Sequence, residues 1–118
     1  MEYNIRETAA ADFDMIMEVE KQAFGYDKEA RLVAQLLDDE TAKPFVSLLA
    51  FDKEEAIGHI LFTRVYFSDK EVSPMMHILA PLAVKPVYQR RGIGGMLIKE
   101  GLHLLQAMGS EVVFVLGH

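Results

Sequence analysis

The chain has 118 residues, of which 51% are hydrophobic, and its formal net charge is −6. This size and composition suit one hydrophobic core, so we expect a single domain over residues 1–118. The acidic balance argues against a nucleic-acid-binding protein, because such proteins carry a basic surface that replaces counterions.

The cysteine and histidine content limits the kinds of site that the protein can contain. The sequence contains no cysteine, which excludes disulfides and thiolate metal sites and is compatible with a reducing cytoplasm. The histidines show no ligand spacing, so no metal is predicted. The N-terminus lacks an apolar signal segment, and no stretch reaches the roughly 20 apolar residues of a membrane span. These features predict a cytoplasmic protein without membrane or nucleic-acid partners.

The N-terminal third of the chain predicts a strand and two helices. Residues 2–6 alternate polar and apolar side chains, which is typical of a short strand. Thr8 is expected to cap a helix over 9–24 that has apolar residues at three- and four-residue spacing and ends at Gly25. A second amphipathic helix is predicted over 28–38.

Strand periodicity begins after Pro44. "FVSLLAFD" (45–52) and "AIGHILFTRVYF" (56–67), joined by the polar "KEE", predict a β-hairpin in which Gly58 marks a close backbone approach or a bulge. Residues 68–74 are predicted to form a loop. "MMHILAPLAV" (75–84) predicts a third, strongly apolar strand.

The last third predicts a helix that runs to about Met108, before Gly109, and a final buried strand at 111–116. The fold class is therefore α/β (α+β), with a mixed sheet and the order β-α-α-β-β-β-α-β. Residues 76–116 should form a right-handed βαβ unit with parallel strands. Because the sequence stops directly after a core strand, we expect a domain that lacks its C-terminal part. The unpaired apolar edge then predicts a homodimer, an exchanged segment, or a chain that is a fragment of a longer protein.

The segment "QRRGIGG" (89–95) has an unusual composition for the start of a helix. Each glycine there costs about 1 kcal/mol relative to alanine, so a compensating role is expected. Unpaired amides and the positive end of the helix dipole make such a start a phosphate-binding site, and Arg90 and Arg91 add positive charge. The spacing fits neither the dinucleotide motif G-x-G-x-x-G nor the P-loop motif that ends in G-K-[ST].

"QRRGIG" matches the Q/R-x-x-G-x-G/A signature of GNAT-type N-acetyltransferases, and the predicted element order resembles that family over nearly the whole chain. "PLAVKPVYQRRGIGGML" is similar to the small bacterial members. The resemblance implies acetyl-CoA as the cofactor (as co-substrate) and an amine of a small molecule or a protein as the acceptor. It also implies that the backbone amides of seven consecutive residues hold the pyrophosphate: Gln89, Arg90, Arg91, Gly92, Ile93, Gly94 and Gly95.

The same resemblance assigns a cofactor-binding role to the preceding strand. Leu82, Ala83 and Val84 would face the pantetheine arm, and the amide of Leu82 would polarise the thioester carbonyl. Members of the family normally continue into a further helix, which often carries a tyrosine acid, and then two more strands. The sequence ends before these elements, so the resemblance supplies no general acid.

No residue is assigned as the catalytic base. His77 is a candidate, although its odd spacing of seven from Val84 places it on the opposite face of a continuous strand unless a bulge intervenes. Glu18 and Glu20 on the first helix could attract a cationic acceptor, but a solvated helix face explains them better. Tyr88 could stack on a ligand, but it is more simply explained as a packed aromatic residue.

Three functions remain open from the sequence. The first is an acetyl-CoA-dependent N-acetyltransferase that acts on a primary amine. The second is a non-catalytic acyl-CoA-binding or interaction module that has lost the acid-bearing segment. The third is a generic nucleotide-binding protein without acyl chemistry.

Overall fold

The structure is a computed structural model that describes residues 2–66 and 75–115. The described part contains six strands and three α-helices. In chain order the elements are β1 (Asn4–Glu7), α1 (Phe13–Phe24), α2 (Lys28–Leu37), β2 (Val46–Asp52), β3 (Glu55–Val65), β4 (Met76–Leu79), β5 (Ala83–Val84), α3 (Ile93–Ala107) and β6 (Val112–Phe114).

The strands form one mixed sheet in the order β1-β2-β3-β4-β6, and β5 pairs with β3 beside β4. Neighbours are antiparallel except β4 and β6, which are parallel and align Met76 with Val112. The predicted mixed sheet, the hairpin and the parallel βαβ unit are therefore confirmed.

The alternation of side chains along β2 and β3 divides the core between the two faces of the sheet. Helix α3 covers one face, where the buried residues are Val46, Leu48, Ala50, Ile57, Ile60, Phe62, Ile93, Leu97 and Leu105. Helices α1 and α2 cover the other face, where the buried residues include Ile16, Val19, Val33, Leu49 and Leu61. A Cβ at Gly101 would overlap the ring of Phe62, so this glycine lets α3 lie directly on the sheet.

The start of α1 differs from the prediction. A 3-10 turn at Ala10–Asp12 precedes the helix, which begins at Phe13 and not at residue 9. Thr8 is not a helix cap, because the N-cap residues are Ala9 for the turn and Asp12 for the helix. The Thr8 hydroxyl donates to Ser47 Oγ at 2.9 Å. The Asp12 carboxylate accepts from the Ala9 amide at 2.7 Å and binds Arg6 at 2.8 Å. The helix ends as predicted at Gly25, whose φ of 76° is left-handed.

The predicted continuous strand over 75–84 is in fact interrupted. Phe62 pairs with Leu79 and His59 pairs with Ala83, so three residues (80–82) lie opposite two (60–61). This extra residue is a β-bulge, which bends the strand and reverses the facing of the residues beyond it. His77 and Val84 consequently point to the same face of the sheet. Opposite facing was expected unless a bulge intervened, and the bulge is present.

Gly58 allows three elements to meet. A Cβ at this position would lie 3.1 Å from Leu97 Cδ1 and 3.3 Å from both Ala83 O and Ile93 Cγ2. The β2–β3 register also shifts between Ala50 and Phe51, opposite this part of β3. Both readings of this glycine, close approach and bulge, are therefore confirmed, and β5 and the start of α3 lie close to β3.

The C-terminal strand is less buried than predicted. Its bounds are Val112–Phe114, and the exposed fractions of Val112, Phe114 and Val115 are 37%, 43% and 52%. β6 is an outer strand of the sheet, which leaves its side chains half covered. The predicted loop at 68–74 and the predicted strand ends at Phe67 and Leu116 lie outside the described residues.

Candidate functional site

Helix α3 begins immediately after a turn in the left-handed region. Arg90 has a φ of 67° and Gly92, the N-cap residue, has a φ of 82°. The amide of Met96 makes the first helical hydrogen bond, to Gly92 O at 3.0 Å. The amides of Ile93, Gly94 and Gly95 belong to the first turn, where N–H groups have no acceptor within the helix. They form the positive end of the helix dipole.

The glycines of this turn have different roles. Gly92 adopts a conformation that a side chain would strain. Nothing lies within 4 Å of a Cβ built at Gly95, and at Gly94 such an atom would be 3.5 Å from Leu82 Cδ2. The absence of side chains at these two positions leaves the amides accessible to a bulky anion. It also brings the helix start next to Leu82, the last residue before β5, so the two predicted parts of the site adjoin.

The amide of Gln89 differs from those that follow. It donates to Pro86 O at 3.2 Å and so closes the 3-10 turn at Pro86–Tyr88. The Gln89 side chain donates to Val84 O at 3.0 Å, which ties the turn to β5. Of the seven amides that the resemblance assigns to the pyrophosphate, this one is already engaged, and the segment from Arg90 to Gly95 is the candidate cradle for the diphosphate.

Strand β5 pairs with β3 on one side. The Lys85 amide donates to Ile57 O at 2.9 Å, so Ala83 and Lys85 turn their peptide groups toward β3. Val84 lies between them and turns its N–H and C=O to the opposite edge. Among the described strands, β6 pairs with β4 and not with β5. The sheet therefore opens beside β5, next to the start of α3.

The side chains around the cradle anchor it to the sheet. Tyr88 donates its hydroxyl hydrogen to Asp52 Oδ2 at 2.8 Å, and this bond raises the pKa of Tyr88 to about 12. Arg91 lies over the Tyr88 ring at 5.2 Å and donates to the Tyr3 hydroxyl at 3.5 Å. Tyr88 is therefore a packed aromatic residue, which was the simpler of its two interpretations. Arg90 is exposed beside the cradle.

The structure gives His77 a structural role. Its side chain is fully buried, with Nδ1 hydrogen-bonded to Ser110 Oγ at 2.8 Å and Nε2 to Pro44 O at 2.7 Å. Burial lowers its pKa. Because both ring nitrogens already have protein partners, His77 has no free position from which to take a substrate proton.

A buried polar network lies behind β5, on the α1 face of the sheet, and the sequence analysis did not identify it. Glu20 Oε2 is 2.8 Å from His59 Nδ1, and His59 Nε2 is 2.9 Å from Ser47 Oγ, which also accepts from Thr8. Glu20 and His59 are fully buried, so the solvated position expected for Glu20 was wrong. The signal was present, because Glu20 is four residues after the core residue Ile16 and lies on the same helix face.

Burial determines the protonation of this network. Desolvation, with a contribution from the charge of Glu29, raises the pKa of Glu20 to about 9, and desolvation lowers the pKa of His59 to about 3. At neutral pH the carboxyl group is therefore protonated and donates to a neutral imidazole. Glu18, by contrast, is exposed and accepts a hydrogen bond from Gln22, as expected for a solvated position.

Two cavities adjoin the helical face formed by α1 and α2. The larger has a volume of about 1230 Å³ and lies between α2 and the bulge, where it is lined by Glu29, Leu32 and residues 79–82 among others. The smaller, of about 610 Å³, lies between the β1–α1 connection and the end of α2 and is lined by none of the predicted cofactor residues. Only the larger cavity reaches Leu82.

Residues 2–66 and 75–115 contain neither a metal-binding cluster nor a helix that could span a membrane. In that part of the chain, no group of three or more His, Cys, Asp or Glu side chains has a geometry that could hold a metal ion. None of the helices in the same ranges is both long and apolar enough to cross a membrane.

The chain resembles proteins of one known family. Residues 13–117 match the model of the Acetyltransferase (GNAT) family. The chain is 57% identical over 111 residues to the uncharacterized N-acetyltransferase YjhQ of Escherichia coli K12, covering 94% of this chain and 61% of that protein.

Two solved structures share the fold. A GNAT family acetyltransferase from Brucella melitensis in complex with acetyl-CoA has a TM-score of 0.88 and 31% identity, with coverage of 99% of this chain and 77% of that one. YhbS from Escherichia coli in complex with CoA has a TM-score of 0.85 and 30% identity, with coverage of 98% and 62%. The chain spans 56% and 61% of the two curated relatives, YhbS and YjhQ.

Proposed function

The chain belongs to the GNAT family of acetyltransferases, and from this we propose that it binds acetyl-CoA at β5 and the Arg90–Gly95 turn and transfers the acetyl group to an amine. The observation that carries the proposal is the start of α3 beside the free edge of β5. The segment from Arg90 to Gly95, in which three glycines carry no side chain, supplies the backbone amides of a cradle for a diphosphate.

The residues present fit the cofactor. A Cβ at Gly94 would project toward Leu82, and the open surface at Gly95 gives an anion direct access to the helix start. Arg90 supplies positive charge in a chain whose net charge is −6. Since the rest of the protein repels anions, this local concentration of N–H groups and positive charge favours binding of a diphosphate at the cradle.

Strand β5 is proposed to bind the pantetheine arm as an added strand. Val84 presents its N–H at the free edge, and its C=O, which accepts one hydrogen bond from Gln89 Nε2, keeps a second lone pair for an extended amide-containing ligand. Leu82, at the end of the bulge, is proposed to donate its amide to the thioester carbonyl oxygen. A donor fixed by the sheet stabilises the charge that develops on this oxygen without reorganising.

The acceptor is proposed to be a primary amine of a small molecule or a protein. It must lose a proton before it attacks the thioester carbon, after which the carbon–sulfur bond breaks and the thiolate takes up a proton. The two internal hydrogen bonds of His77 argue against it as the proton acceptor.

We also propose that β6 pairs with a second copy of the chain. It bonds to β4 on one side, and Val112, Phe114 and Val115 are exposed apolar residues at this edge. An uncovered edge of this kind favours association of strands. Light scattering should give the mass of a dimer, and a monomer at all concentrations would refute the pairing.

Calorimetry and turnover together test the proposed function. Acetyl-CoA should bind in preference to ATP, and free CoA should be released when an amine is added. Acetyl-CoA binding without release over a broad amine panel would instead indicate the non-catalytic module. Preference for ATP would contradict both and indicate a nucleotide-binding protein.

A further inference from the structure

The larger cavity, between α2 and the bulge, has one wall made of consecutive apolar residues. Leu79, Ala80, Pro81 and Leu82 all line the cavity, and each is partly exposed. Contiguous apolar surface that lines a cavity is typical of a small-molecule site. The volume of about 1230 Å³ is large enough for a ring-sized group. The wall ends at Leu82, whose amide is proposed to hold the thioester carbonyl.

The opposite wall is formed by the helices and adds two more apolar side chains. Leu32 on α2 is exposed and lines the cavity, although it directly precedes the core residue Val33. Phe24, the last residue of α1, lines the cavity as well and packs against the core cluster of this face of the sheet. An apolar group between the two walls would be removed from water on both sides, and its burial would favour binding.

The charged residues of the cavity offset one another. The lining contains two acidic and two basic side chains, which leaves no net formal charge: Asp27, Glu29, Lys28 and Arg31. Asp27 and Arg31 are paired with each other at 3.8 Å, and the Oε1 atom of Glu29 is buried. Lys28 is exposed and takes part in none of the ion pairs found in residues 2–66 and 75–115. The cavity therefore offers no surplus of negative charge to a ligand with several amino groups.

We propose that the acceptor is an amine with a single amino group and an apolar, ring-sized body, and that Leu32 and the wall at residues 79–82 select it. This inference rests on the proposed function and names the substrate class of its acceptor site. The apolar body lies between the two walls, and the amino group lies at the Leu82 end of the cavity, where the thioester is proposed to bind. A polyamine or another polycation would bury its charges against apolar walls without compensation, so it is the disfavoured class.

Ligands that differ in one feature test the assignment by binding, without depending on turnover. Calorimetry with saturating CoA gives the affinity of the native chain for 2-phenylethylamine, for ethylamine, which lacks the ring, and for 1,4-diaminobutane, which has a second amino group instead. We expect 2-phenylethylamine to bind about tenfold or more tightly than either, because only its ring can be buried between the walls. The alcohol 2-phenylethanol keeps the ring and lacks the charge, and its affinity should lie within about fivefold of that of 2-phenylethylamine.

Two matched leucine substitutions test the contact with Leu32. Leu32→Asn and Leu102→Asn each replace a helical leucine of similar exposure, 43% and 39%, by a polar residue of similar size. Leu102 lies on α3 and does not line the cavity. Leu32→Asn should weaken binding of 2-phenylethylamine about fivefold and leave the weak binding of ethylamine unchanged, whereas Leu102→Asn should change neither by more than about twofold. Both variants should bind CoA as the native chain does, which shows that they are folded.

Several results would overturn the assignment while the proposed function still stands. They are equal affinities for ethylamine and 2-phenylethylamine, tighter binding of 1,4-diaminobutane than of 2-phenylethylamine, and equal effects of the two asparagine variants. A native chain that binds CoA but none of the three amines would also overturn it. Failure of the native chain to bind CoA or acetyl-CoA would instead refute the proposed function, on which the assignment rests.

Discussion

Strands β4 and β5 come from one apolar run of sequence but have different surroundings. β4 lies between β3 and β6, and its histidine is bonded on both ring nitrogens to other parts of the chain. β5 pairs with β3 alone, and the peptide group of Val84 points to the open edge. The bulge at residues 80–82 separates the two.

This difference shows how a single extra residue divides a strand into a half that is paired on both sides and a half that is paired on one side. Upstream of the bulge the hydrogen-bonding groups are used within the sheet. Downstream, the backbone is held on one side by β3 and is open on the other, where the cofactor is proposed to bind. Substitutions near β4 should therefore change stability, and those near β5 and the cradle should change ligand affinity.

The largest effect is expected from Gly95→Asp. The position is open, and a carboxylate in the first turn of a helix interacts favourably with the helix dipole, so the melting temperature should stay constant or rise. The same carboxylate would lie beside the diphosphate and repel it. We expect the acetyl-CoA Kd to rise about 100-fold or more in calorimetry.

Gly95→Ala is the matched control for this charge effect. It should stabilise α3 by about 1 kcal/mol and weaken acetyl-CoA binding much less than the aspartate does. Equal affinity of the native chain and Gly95→Asp would contradict a diphosphate site at the helix start.

In β4, replacing His77 by alanine should lower stability and leave acetyl-CoA affinity nearly unchanged, which is the reverse of the effect expected for Gly95→Asp. It removes the donor to Pro44 O and the partner of Ser110 Oγ, so the free energy of unfolding should fall by about 2 kcal/mol in urea titrations. Acetyl-CoA affinity should stay within about twofold. A stable variant that binds acetyl-CoA normally but has lost its activity would show that His77 takes part in the chemistry.

The network behind β5 predicts a pH-dependent stability. Glu20 has a pKa of about 9 when folded against an ordinary 4.5, so the folded chain holds the proton more tightly and its stability falls as pH rises through this window. His59 acts oppositely between its ordinary 6.5 and about 3, so only Glu20 contributes above pH 6.5. Glu20→Gln should flatten the decline between pH 6.5 and 9 and stabilise the chain at pH 8 by about 1 kcal/mol or more.

Thermal melts of both proteins across that pH range check this expectation. Parallel pH profiles for the native chain and Glu20→Gln would show that Glu20 is ionised in the folded protein. A Glu18→Gln control removes an exposed carboxylate from the same helix and should leave the native profile unchanged.

The smallest effect is expected from Gln89→Ala. It removes the hydrogen bond to Val84 O and loosens the connection between β5 and the cradle. Because the amides of the cradle remain, acetyl-CoA affinity should fall only about two- to fivefold. A loss comparable with that of Gly95→Asp would show that the side chain contacts the ligand directly.

The sequence predicted the features that depend on local pattern. The element order, the helix end at Gly25, the close approach at Gly58 and the glycine-rich helix start all follow from spacing and residue type. The C′ position of Gly109 also agrees, since its φ is 94°. Local conformation and hydrophobic period are sufficient for such features.

Features that depend on pairing between distant segments could not be predicted from the local sequence pattern. The bulge exists because three residues (80–82) lie opposite two residues (60–61) of β3, and "APL" carries no signal of that difference. The Glu20–His59 bond joins residues 39 positions apart, and each alone resembles an ordinary polar residue. The engagement of the Gln89 amide likewise arises from the 3-10 turn that precedes it.

The most direct test is a ¹H–¹⁵N titration of the chain with CoA, which follows the glycine amides individually. The diphosphate site at the start of α3 predicts large shifts for Gly92, Gly94 and Gly95, whereas Gly25, Gly101 and Gly109 stay in place. Saturable binding that leaves the first three resonances unmoved and shifts others would contradict the account.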